Sequence, residues 1–218
     1  MAGGVAHSQS MECAIFTPEK QSATAPDGAI TKLTAGNERF VTGKTVNCGL
    51  MHHGRSTATG QSPFAAILSC MDSRVPPRHL FDQRIGDVFS LRIAGNFVNT
   101  DIIGSLEYAT KVSSARAIVV LGHTDCGAVK GAVDDVKLGN LTAMLESFKP
   151  AIATLTDADG TRESENYKLV QKVADQNVLL GVASLTQRST VLKELVDSGQ
   201  LKIIGAMYDV ATGKVAWM

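Results

Sequence analysis

The stretch "ARAIVVLGHTDCGAVKGAVDDVKL", residues 115–138, decides the fold. Residues 115–122 form an almost continuous apolar run, the pattern of a strand buried on both faces. A glycine-bounded turn, "GHTDCG", follows at once, and a helical stretch begins at Ala128. A strand covered on both faces belongs to a parallel sheet with helices above and below. Ligands collect at the carboxyl ends of such strands, and this one presents His123 and Cys126 there.

The same alternation extends outward. "FAAILSC" (64–70) reads as a buried strand and "PPRHLFD" as a short helix with proline in its first turn. "DVFSLRI" (87–93) is a second strand, followed by the periodic helix "TDIIGSLEYATKV". Beyond the polar break "TDADGTRESE", residues 165–197 are helical with a bend near Thr186–Ser189. "LKIIGAMYDV" is a fourth strand, and "KVAWM" returns beside it as an edge strand after the Thr212–Gly213 turn. The expected fold class is α/β: a mostly parallel four-stranded sheet with an added edge strand, helices on both faces and an N-terminal helical arm. A helix over about residues 29–42 has Asp27 as its cap and Gly43 as its stop. Residues 44–60 read as a loop, with His52 and His53 solvated. Residues 1–26 are expected to be a flexible arm and 27–218 a single domain.

Lys plus Arg equals Asp plus Glu at 21 each, so the chain carries no field for a polyanion or an anionic membrane. No apolar run approaches the roughly 18 residues that span a bilayer. With no secretion signal in the sequence, a cytoplasmic location is expected by default. In that setting the four cysteines, Cys13, Cys48, Cys70 and Cys126, point to metal or redox chemistry rather than disulfides, with Cys13 a free exposed thiol.

"CMDSR" sharpens the metal reading. In extended chain, Cys70, Asp72 and Arg74 share one side. Cys70 with His123 and Cys126 makes a Cys2His set, with one coordination position left open as in catalytic zinc sites. Cys48 lacks paired-ligand spacing, which argues against a closed four-ligand site. Asp72 either orients a zinc-bound hydroxide, kept ionised and off the metal by Arg74, or enters the coordination shell in another state. His79, on the following helix, is a candidate proton shuttle or an ordinary surface residue. The glycines of "GHTDCGAVKGA" lack the Gly-Lys-Ser/Thr of a phosphate loop, so nucleotide binding is discarded.

At these residues the sequence resembles the β-class carbonic anhydrases, whose signatures Cys-x-Asp-x-Arg and His-x-x-Cys stand here as "CMDSR" and "GHTDCG". "QSPFAAIL", "FDQRIGDVFSLRIAGN", "GSLEYA", "GAVKGA" and "YDVATGKV" extend the likeness. The resemblance implies reversible hydration of CO2 to bicarbonate and a proton. It assigns one Zn2+ per subunit to Cys70, His123 and Cys126, and the catalytic dyad to Asp72 and Arg74. Gln61 is implied as a hydrogen-bond donor to substrate, Phe89 and Tyr108 as walls of a cleft shared between subunits, and Gly127 as backbone close to the metal. A homodimer or homotetramer is implied, with no nucleic-acid or membrane partner. Some members carry a tryptophan three residues before the first cysteine, in a regulatory bicarbonate pocket. Ile67 stands there in this chain, beside a compatible Arg92 and Tyr208, so that pocket is expected to be absent or weakened. Hydrolysis of carbonyl sulfide or carbon disulfide, and a non-enzymatic zinc-bearing sensor, are the alternatives; the intact Asp72–Arg74 pair argues against the sensor.

Overall fold

The computed structural model describes residues 13–218. Its sheet holds β1 (Ala65–Cys70), β2 (Val88–Ile93), β3 (Ala117–His123), β4 (Lys202–Tyr208) and β5 (Val215–Trp217), in the order β2-β1-β3-β4-β5. The first four strands run parallel and β5 pairs antiparallel with β4, as the sequence implies. Every residue of β1 and β3 is buried. Alternate residues serve opposite faces. Ala66, Leu68 and Cys70 join Ile118 and Val120 in one core, while Ala65 and Ile67 join Ala117, Val119 and Leu121 in the other.

The first core is roofed by α9 (Tyr167–Arg188) and α10 (Thr190–Asp197), with α5 (Thr100–Glu107) and α6 (Gly127–Val133) beside them. The expected bend between α9 and α10 falls at Ser189, whose hydroxyl accepts from Leu192 N–H at 3.0 Å and so starts the second helix. Pro150 stands in the first turn of the short α8 (Lys149–Ile152), after α7 (Gly139–Leu145), where proline is tolerated.

The second core lies under α2 (Pro26–Val41), which buries Ala29 and Leu33 against Phe64 and Phe81. Full burial of such side chains is worth about 1.5–3 kcal/mol each. Gly36 faces the carbonyl of Phe81, where a Cβ would stand 1.8 Å from the oxygen, so only glycine permits this approach. Gly43 ends α2 with φ +67 as expected. Asp27 does not cap it: it lies inside the first turn, behind Pro26, and the cap position is Ala25, which has no side-chain acceptor.

Three features of the N-terminal third differ from expectation. Of the expected arm, residues 1–12 lie outside the described residues, but Pro18–Ala23 form α1, whose Gln21 amide donates to the Pro63 and Ser113 carbonyls at 2.7 Å each. The expected 44–60 loop contains α3 (Leu50–Ser56), whose period turns His53 inward to 1% exposure while His52 stays outside. Cys13 is not a free thiol; it forms a disulfide with Cys48, whose sulfur also accepts from Arg84 Nε at 3.1 Å. A bridge across a sequence separation of 35 removes loop entropy from the unfolded chain, worth about 3–4 kcal/mol. The Cys13→Ser/Cys48→Ser variant is therefore expected to lose that much stability in urea titration; equal midpoints would show that the bridge does not form in solution.

Candidate metal centre

The parallel register brings the two motifs together. Ser69 pairs with Leu121, so β1 ends at Cys70 level with Gly122, one residue before His123. The chain then turns through Asp125, at φ +57, and presents Cys126 as the residue before α6. The ligand atoms of Cys70, His123 and Cys126 all lie within 4.8 Å of one another, and all three residues are buried.

The donor set suits a soft or borderline cation. His123 Nδ1 lies 2.9 Å from the Thr124 carbonyl and donates to it, which leaves the Nε2 lone pair free. That Nε2 is buried without a hydrogen-bond partner, an expensive condition unless a cation occupies it. The two free thiols meet in the same space. The hydrogen bond from the Cys126 thiol pushes Cys70 down, and the same contact pushes Cys126 up, so the first proton leaves Cys70 more readily than Cys126. Burial opposes ionisation at both sulfurs; a divalent ion would offset it and release the second proton. Cys70 Sγ also accepts from the Gly95 and Asp72 amides at 3.2 and 3.4 Å. Gly95 is required for that approach: its φ is +81 and a Cβ would meet Phe148 at 2.2 Å. No described residue adds a fourth protein ligand to this group, and Cys48 is committed to Cys13.

Asp72 stands at the rim. Its Oδ1 accepts from the Arg74 amide at 2.9 Å and from Arg74 Nε at 3.0 Å, and its Oδ2 from Nη2 at 2.8 Å. These bonds hold its carboxyl down to about 2, more than offsetting partial burial. Oδ2 is 4.0 Å from His123 Nε2, beside the point where the ligands converge. Arg92 on β2 fixes the backbone below by donating to the Cys70 and Asp72 carbonyls at 3.2 and 2.6 Å.

A profile of the carbonic anhydrase family matches residues 65–215. The chain belongs to the β-carbonic anhydrase family. Carbonic anhydrase 2 of Mycobacterium tuberculosis is 35% identical over 197 residues, 88% of this chain and 92% of that protein. A carbonic anhydrase of Pseudomonas aeruginosa is 30% identical over 167 residues, 74% of this chain and 76% of its own length. Among solved structures, one of two tetrameric β-carbonic anhydrases from Sordaria macrospora aligns with a TM-score of 0.65 at 27% identity, over 77% of this chain and 86% of that one. Like its relatives this β-carbonic anhydrase is an enzyme, and hydration of CO2 is its family's reaction.

The residues expected to form a substrate cleft do not share one pocket in this β-carbonic anhydrase chain. Phe89 and Tyr108 stack edge to face with centroids 6.4 Å apart and line a groove of about 620 Å³ between β2 and α5. Its lining contains neither Gln61 nor the ligand group. Tyr108 is 54% exposed, and Gln61 and Gly127 are also exposed. His79 is exposed on α4 (Pro77–Leu80). Ile67 is buried in the second core. Sequence reasoning missed three contributors: Arg92 as a backbone brace, the Gly95 amide on Cys70, and Asp125, which sits inside the His-x-x-Cys motif and bonds Arg74. A carboxylate lodged between His123 and Cys126 was the available signal for the last.

Proposed function

We propose that this chain is a zinc-dependent carbonate dehydratase, with Cys70, His123 and Cys126 holding one Zn2+ per subunit and Asp72 with Arg74 as the catalytic dyad. The observation that carries this reading is the buried Cys2His convergence with an ionised, guanidinium-held carboxylate at its rim. When bound, the ion supplies Lewis acidity that makes water nucleophilic toward CO2 near neutral pH. Asp72 accepts the hydrogen of the attacking oxygen and so aims its lone pair, and Arg74 keeps the carboxylate charged and in place. Gln61 donates to the substrate oxygen, Gly127 brings backbone to the metal, and Phe89 and Tyr108 form apolar walls, completed by another copy of the chain in a homo-oligomer. The exposed groove fits that arrangement, and the Sordaria relative is tetrameric. Ile67 leaves the regulatory bicarbonate pocket without its tryptophan.

The test is stopped-flow CO2 hydration with zinc analysis on the purified protein, run beside carbonyl sulfide. Turnover of CO2 with stoichiometric zinc is expected; turnover of carbonyl sulfide alone would move the chain to the hydrolase reading. Among the described residues no helix is long and apolar enough to cross a membrane. The expected cytoplasmic location carries a condition, since a reducing cytoplasm opens a bridge such as Cys13–Cys48.

A pH dependence follows with a definite sign. The Asp72 carboxyl is depressed from 3.8 to about 2, so its contribution to stability is complete above about 4 and is lost as pH falls through that window. It is ionised throughout the neutral range and causes no rate change there. The neutral charge of a Cys2His zinc site acidifies water only modestly, so kcat is expected to rise toward alkaline pH with a titration near or above neutrality. A profile flat across that range would contradict the mechanism.

A further inference from the structure

Arg74 is held from two loops. Beyond its bonds to Asp72, its Nη1 donates to Asp125 Oδ2 at 3.3 Å and its Nη2 to the Asp125 carbonyl at 3.2 Å. The second oxygen of Asp125, Oδ1, accepts from Lys130 Nζ on α6. Four charged groups thus stand in a row, Asp72, Arg74, Asp125 and Lys130, alternating in sign and linking the loop after β1 to the loop after β3.

The row matters because little else restrains the guanidinium. The Arg74 side chain is 46% exposed, and Asp72 and Asp125 are its only ion-pair partners among the described residues. The Asp72 backbone is pinned by Arg92, so the carboxylate's remaining freedom is rotation of its own side chain. Rotation one way keeps it on Arg74; rotation the other way carries Oδ2 from its place 4.0 Å from His123 Nε2 toward the ligand cluster. A carboxylate there would fill the open position of a three-ligand site. If Asp72 were Arg74's sole anchor, the pair would move as a unit and the guanidinium would offer no resistance.

The geometry points to Asp125 as a positioning residue that anchors Arg74 from the opposite loop and thereby keeps Asp72 off the metal. This rests on the zinc reading above. Asp125 lies outside the donor group; it acts through Arg74, and Lys130 orients its carboxylate. Asp also suits the left-handed backbone at this turn, where φ is +57.

The test uses the metal-loaded protein with Co2+ in place of zinc. Asp125→Asn is the primary variant, because asparagine tolerates the same backbone while losing the charge; Asp125→Ala is the second. Metal stoichiometry and the visible spectrum are recorded beside kcat. The expected result is unchanged metal content, a visible band shifted toward the form with an added carboxylate ligand, and a kcat about ten- to a hundredfold lower. In an Asp72→Asn background the Asp125→Asn change should leave the spectrum unmoved. A spectrum and kcat equal to wild type in both variants would overturn the proposal. So would the same spectral shift with Asp72 already replaced, since Asp125 would then be acting through the Cys126 backbone. Failure of the wild type itself to take up metal would sink both this inference and the zinc reading, which separates the two failures.

Discussion

Replacing Asp72 by alanine is expected to reduce CO2 hydration by about 10²–10⁴-fold while zinc remains bound at wild-type stoichiometry. The reasoning separates two jobs within five residues. Cys70 belongs to the donor group, buried in the core that α9 roofs, whereas Asp72 lies at the rim and outside that group. Removing its carboxylate takes away the acceptor that aims the nucleophile, and leaves the sulfur and imidazole donors where they are. Stability should change little, because the side chain is partly exposed and its pairing with Arg74 is a rim interaction. Stopped-flow rates with metal analysis read both quantities together. A variant that hydrates CO2 at the wild-type rate would remove Asp72 from the mechanism; one that loses its zinc would make it a ligand instead.

The second large effect is expected from Cys126→Ala: zinc content falls well below stoichiometric and hydration becomes undetectable, while the circular dichroism spectrum stays that of wild type. Only Cys70 and His123 would remain from the donor set, too few for a stable site. The fold should survive because the substitution removes one sulfur from a packed core, and deletions of that size are at the small end of cavity costs. Full hydration activity in this variant would refute the assigned ligand set. The Cys13→Ser/Cys48→Ser variant makes a control, since it removes the other two sulfurs and should leave zinc and rate intact while lowering stability.

Much of this architecture could be read in the sequence because its signals are local. The apolar runs at 64–70 and 115–122 are short and flanked by turns, and burial on both faces leaves few alternatives to a parallel sheet. Cys70, His123 and Cys126 were legible because they sit where such strands end. What escaped was built from contacts over long separations. The Cys13–Cys48 bridge has no characteristic spacing, and Gln21 reaches carbonyls 42 and 92 residues away. His53 was misread because the helical turn around it carries no strong apolar period. Asp125 lies within its motif, but its partner Arg74 is distant in sequence and adjacent only after β1 and β3 pair.

On the proposed zinc assignment, that pairing of β1 with β3 would make the ion a proofreader of assembly. Successive strand residues alternate between the two cores, so sliding β1 by one position would swing the Cys70 sulfur onto the face under α2, away from His123 and Cys126. A nascent chain with misaligned strands therefore could not capture zinc, and only the correctly threaded form would be locked by it. Metal uptake during refolding should then lag behind collapse and coincide with the final alignment of the sheet.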